Sequence, residues 1–165
     1  LALALIYENL GDKAKAERYI ELALGHHSHH YLVQYIAGRL YYLEGRFADS
    51  ESHLTTSVAL QGDYAPARML LGNLLVVTGK NDRAIEVVRP LLSQQPNQVR
   101  ARYILGMAYW RRGDLENAVR SFEGAIGLAK DDEWSRLALE ELAFFSNEVR
   151  VLGVYRASPW REGLS

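Results

Sequence analysis

The chain has 165 residues, of which 48% are hydrophobic and 24% charged, and its formal charge at neutral pH is -1. This balance suits a folded core and gives no general attraction to phosphate backbones or anionic bilayers, so nucleic acid is excluded as a default partner. There is no cysteine, which removes disulfides, thiolate metal sites and cysteine nucleophiles together and leaves the compartment open; no run of 18 apolar residues occurs, so no membrane insertion is expected.

Taken in chain order, the opening LALALIYENLGDKAKAE places an apolar helical stretch before Gly11 and an amphipathic one after it. No basic segment precedes the apolar run, so it reads as the remaining part of a helix in a chain cut from something longer, and not as a secretory leader. Helices are expected at about 1–10 and 13–26, then at 31–44 and 47–60 around Gly45, at 65–78 and 81–94 around Gly79, and at 99–112 and 115–129 around Gly113. The four glycines stand 34 residues apart. Each falls where a short turn between antiparallel helices needs a residue that accepts positive φ. The last segment, EWSRLALEELAFFSNEVRVLGVYR, breaks the pattern, because Asn147 stands where a fifth turn glycine would fall. Its apolar stripe of Trp134, Ala138, Leu142, Phe145, Val149 and Leu152 predicts a capping helix from about 133 to 146 or beyond. Phe144, Val151, Val154 and Tyr155 lie off that stripe, so the segment is two helices or offers an apolar face to another domain or to a second copy in a homo-oligomer.

A second regularity runs through the repeats. Seven residues before the turn glycines stand Ala4, Gly38, Gly72 and Gly106, and four before them stand Tyr7, Tyr41, Leu75 and Tyr109. After the glycines come Ala16, Ser50, Ala84 and Ala118, followed one helical turn later by Ile20, Leu54, Val88 and Phe122. Small residues let two helices approach closely, and large ones fill the space beside them. Ala23, Ser57 and Ala125 continue the small stripe, which Leu91 interrupts. This pattern resembles the tetratricopeptide repeat family over about residues 1–132, most closely in ARYILGMAYWRRGDLENAVRSFEGAI. The family's proline between repeats survives only as Pro96, and Leu75 replaces the usual aromatic. The resemblance implies an all-α, right-handed superhelical solenoid of antiparallel hairpins. Four repeats are expected at 1–30 (truncated), 31–64, 65–98 and 99–132, with a C-terminal capping helix and tail at 133–165.

Chemistry-bearing motifs are sparse. GHHSHH, residues 25–30, falls in a connection between repeats, and His26, His27, His29 and His30 have neither a cysteine nor an ordered outer shell to make them converge on a metal. A solvated loop is expected, with a pH-responsive loop as the alternative. Nucleophile elbows, HExxH, Walker and GxGxxG motifs are all missing, so no catalytic residue and no cofactor is assigned. Asp131 and Asp132 suit a helix start. Glu140 and Glu141 point about 100° apart on a helix and read as solvated charges. Arg100, Arg102, Arg111 and Arg112 could bind acidic groups but read first as helix-surface charge.

On the first helix of each hairpin, a line about 70° from the small-and-aromatic stripe holds Tyr35, Arg39 and Tyr42, then Met69, Asn73 and Val76, then Tyr103, Met107 and Trp110. The resemblance implies that this line faces a concave groove. With Arg111 these residues are the candidate partner contacts. Only Asn73 and Arg39 suit a carboxylate clamp of the kind that holds chaperone tails, whereas tyrosine, tryptophan and methionine suit an apolar or aromatic-bearing segment. The function expected is a non-enzymatic scaffold binding a protein or peptide partner. The alternatives are a regulatory or substrate-selecting array in a longer enzyme, and a segment of a bacterial envelope assembly such as an exopolysaccharide-export lipoprotein.

Overall fold

The computed structural model describes residues 1–129 and 131–152, with side chains as far as Phe144. Among the described residues there are nine helices and no strand. They are α1 (Ala2–Asn9), α2 (Lys13–His27), α3 (Tyr31–Leu43), α4 (Phe47–Leu60), α5 (Ala65–Val77), α6 (Asn81–Gln94), α7 (Val99–Arg112), α8 (Leu115–Leu128) and α9 (Glu133–Leu152). The first eight pair as hairpins, and the second helix of each hairpin packs on the first helix of the next: α2 on α3, α4 on α5, α6 on α7 and α8 on α9. The result is an all-α helical solenoid.

Each hairpin turns on its glycine. Gly11, Gly45, Gly79 and Gly113 have φ of 75°, 75°, 78° and 86°, a left-handed conformation in which a Cβ would be strained. At Gly113 the N–H returns to the Trp110 carbonyl at 2.7 Å, and the Asp114 N–H reaches the Tyr109 carbonyl at 2.9 Å. These bonds satisfy carbonyls that would otherwise be stranded at the helix end. At Asn147 there is no such glycine and the helix does not stop, so α9 continues to Leu152. The side chains of Phe145, Val149, Val151 and Leu152, together with Val154, Tyr155 and the tail, lie outside the described residues.

The alternation of small and large residues builds the interior. A methyl added at Gly38 would lie 2.6 Å from Leu54 Cγ, and one added at Gly72 or Gly106 would run into Val88 or Phe122. Leu54, Leu75, Val88, Leu91 and Phe122 are all fully buried, each contributing roughly 1.5–3 kcal/mol. Serine in the small stripe brings a hydroxyl into the core, and both such groups find an acceptor. Ser50 Oγ donates to the Gly38 carbonyl at 2.7 Å, and Ser57 Oγ to the Tyr31 carbonyl at 2.8 Å. On the outside, cations at or beside the turn of one repeat pair with the second helix of the repeat before it: Arg46 with Glu17, Lys80 and Arg83 with Glu51, and Arg112 with Asp82.

Candidate interaction surface

The first helices lie side by side, with α3 against α5, α5 against α7 and α7 against α9, which aligns the residues spaced by 34. Arg39 on α3 reaches α1, where its Nε and Nη2 donate to the two oxygens of Glu8 at 3.1 and 2.6 Å. Burial opposes the Arg39 charge most strongly, but the bond to Glu8, the Glu8 charge and Tyr35 together outweigh it and hold the guanidinium above its ordinary pKa. One repeat further on, Asn73 Nδ2 donates to the Tyr42 hydroxyl at 3.0 Å. Both contacts join residues 31 apart, so they are successive rungs of one ladder. Arg111 continues along the same surface, donating from Nη1 to the Val76 carbonyl at 3.1 Å.

Aromatic packing fills the intervals. Tyr35 meets the Tyr64 ring edge-on at 5.2 Å, and Tyr42 lies 5.9 Å from Phe47. Tyr103 sits between Phe122 at 5.8 Å and Trp134 at 5.5 Å, and Trp110 meets Phe144 of α9 at 6.3 Å. Tyr103 is thus more deeply held than a freely presented contact. Its hydroxyl is pushed above the ordinary tyrosine range by burial and then by the charges of Glu141 and Glu140. Met69, Met107 and Trp110 stay part-exposed while packing on the core.

Two readings of the sequence need correction. Val76 is buried, only 4% exposed, as a member of the core cluster, its side chain being shorter than those of the part-exposed equivalents Tyr42 and Trp110; only its carbonyl takes part in the line. Glu141 is half-buried and not a solvated charge: burial raises its carboxyl above the usual range, with Glu140 acting in the same direction and Arg111 opposing. The arginines near Arg111 are engaged. Arg100 stacks over Trp134 at 4.7 Å, Arg102 donates to the Pro96 carbonyl at 3.3 and 3.0 Å, and Arg112 pairs with Asp82 and Asp114. Two further groups belong to the line without having been assigned to it, Glu8 and Phe144, although the spacing contains them: 42 minus 34 gives Glu8, and 110 plus 34 gives Phe144.

The histidine segment is the end of a helix and the start of the next. His26 and His27 close α2, and His30 caps α3, its Nδ1 accepting the Leu32 N–H at 3.2 Å while its ring stacks on Tyr31 at 5.2 Å. Among the described residues no three histidine, aspartate or glutamate side chains gather as a metal site, and no helix is long and apolar enough to cross a membrane. Asp132 caps the start of α9, its Oδ1 accepting the Trp134 N–H at 2.9 Å.

Hairpins of 34 residues stacked in register, with glycine turns and a small-to-large interior, have a counterpart among known families. A tetratricopeptide repeat model matches residues 1–65 and again residues 69–133. The chain belongs to the tetratricopeptide repeat family. It is 24% identical over 130 residues to the human protein O-mannosyl-transferase TMTC1, a match that takes in 79% of this chain and 15% of that protein's length. Among solved structures it resembles the MamA protein at 26% identity, covering 78% of this chain and 70% of that one with a TM-score of 0.72. MamA from Desulfovibrio magneticus, at 18% identity, covers 91% and 93% with a TM-score of 0.74. The tetratricopeptide fold is generally a protein–protein interaction scaffold and typically a non-enzymatic one.

Proposed function

We propose that this chain is a non-enzymatic tetratricopeptide scaffold whose first-helix line forms a groove for an extended peptide or a partner helix. The contacts are Tyr35, Arg39, Tyr42, Met69, Asn73, Tyr103, Met107, Trp110 and Arg111. The observation that carries this reading is the surface of α5 and α7, where Met69, Met107 and Trp110 remain part-exposed on one aligned face beside Arg111. Adaptable thioethers next to an indole suit an apolar or aromatic-bearing segment, and a neighbouring guanidinium gives such a segment polar register. Arg39 and Asn73 already have partners, so they shape the groove wall and do not clamp a carboxylate.

The test is affinity capture with mass spectrometry on the parent, Trp110→Ala and Met107→Glu. One and the same partner is expected to drop out of both variants, with binding weakened by about 2 kcal/mol for Trp110→Ala and unchanged helix content by circular dichroism. Undiminished capture by both would move the site off this line. A second reading is favoured by the match to TMTC1, of which this chain spans 15%. In that reading the repeats are the partner-selecting array of a longer polypeptide whose catalytic part lies elsewhere, and the same groove is used.

A further inference from the structure

The solenoid has one face whose exposure its own repeats contradict. In the second to fourth hairpins, the positions equivalent to Leu3 are Ala37, Leu71 and Leu105, at 0%, 1% and 4% exposure, and those equivalent to Ile6 are Leu40, Leu74 and Ala108, at 4%, 0% and 0%. All six lie on first helices that pack against the second helix of the hairpin before them. Leu3 and Ile6 themselves are 48% and 50% exposed. Beside them a trough of about 560 Å³ opens between α1 and α2, with Ala23 on its wall. The equivalents of Ala23, which are Ser57, Leu91 and Ala125, are fully buried.

We propose that this face of α1 and α2 seats a further hairpin of the same 34-residue kind, stacked ahead of α1 in one continuous solenoid. The argument is continuity with an interface that recurs inside the chain. Large apolar side chains stand where every later repeat has buried ones, and uncovering two of them to half exposure opposes the hydrophobic term that drives stacking. Charge contributes at one of two equivalent positions, since Asp12 stands where Arg46 and Lys80 do and the basic residue is Lys15. Lys15 occupies the position of Arg83, which pairs with Glu51 on the preceding second helix. The occupant therefore presents small and apolar residues on its second helix, with an acidic residue where this chain has Glu17 and Glu51. Lys15 also pairs with Asp12 of its own turn at 2.8 Å.

The test supplies the occupant from the chain's own repeats. Residues 31–68 placed directly before Leu1 continue the register, because Leu1 then follows as Met69 does, and residues 65–102 offer a second, independent hairpin in the same register. Each extension is expected to add helix by circular dichroism, to raise the melting midpoint of the parent and to slow amide exchange in α1 at least tenfold. Ile6→Lys should be nearly silent in the 165-residue chain and should abolish the gain in both extended chains. The proposal fails if both extensions add no helix, or if Ile6→Lys lowers the midpoint equally with and without them. It also fails if sedimentation shows the 165-residue chain to be a dimer that Ile6→Lys dissolves, for then a second copy covers the face.

Discussion

Gly106→Ala tests the small-to-large logic of the interior directly. An added Cβ would stand 2.8 Å from Phe122 Cζ and closer still to Cε1 and Cδ1, where carbon atoms attract one another best at about 3.5–4.0 Å. The ring has no free direction in which to yield: Phe122 is fully buried, with Tyr103 at 5.8 Å and Trp134 behind that. Overpacking of this kind costs about 1–3 kcal/mol, while alanine in a helix interior regains about 1 kcal/mol over glycine. With three ring atoms in collision the upper part of the range applies, so the expected net loss is about 1–2 kcal/mol. The sign should reverse in a Phe122→Ala background, where the new methyl enters the cavity left by the ring and only its helix preference and packing remain, giving a coupling of about 2–3 kcal/mol. Urea unfolding of the four proteins, followed by circular dichroism in trimethylamine N-oxide so that the Phe122→Ala chain stays folded, measures the cycle. Equal effects of Gly106→Ala in the two backgrounds would refute the claim that glycine is there to admit the ring.

The turn glycines should behave differently from glycines in helices. Gly113→Ala, at φ 86°, is expected to lose about 1–2 kcal/mol, whereas Gly25→Ala, inside α2 with open space around it, should gain about 0.5 kcal/mol; thermal melts of the pair distinguish backbone strain from crowding. Acid should weaken the second repeat through His53, whose Nδ1 bridges to Gln34 Oε1 at 2.7 Å while Gln34 holds the Ser28 carbonyl at 2.6 Å. Burial lowers its pKa, Asp49 opposing and Arg46 assisting, so the folded state binds fewer protons there than the unfolded chain. Its stabilising effect is complete above the ordinary histidine range and is lost as pH falls through that range towards the depressed folded value. Melting midpoints at pH 7.5 and 5.5 should therefore separate more in the parent than in His53→Gln; equal separations would remove His53 from the account.

Much of this architecture was legible because each repeat states it again. Gly11, Gly45, Gly79 and Gly113 mark four turns, and the helix limits follow them closely, since a left-handed residue is a local requirement that distant packing rarely overrides. The missing glycine at 147 was equally informative, and α9 indeed does not turn there. Less could be read at the surface line. Val76 shares its spacing with Tyr42 and Trp110, yet at a half-covered position a valine is short enough to be hidden where a tyrosine or tryptophan reaches solvent. The rungs Glu8–Arg39 and Tyr42–Asn73 span 31 residues, a separation that no helical period suggests; it appears only once the stagger of adjacent first helices is known. Glu141 followed the same rule, since its half-burial depends on how α9 lies along α7.

Those rungs also bear on how the molecule deforms. Apolar contacts between neighbouring hairpins tolerate sliding, but a hydrogen bond of about 3 Å weakens steeply when it is stretched or bent, so each rung acts as an inextensible tie on one side of a spring. Twisting or opening the coil therefore concentrates at the joints where the tie is weakest. On that side of the coil, the single neutral bond between Asn73 and Tyr42 is a weaker tie than the double, charge-assisted one between Arg39 and Glu8.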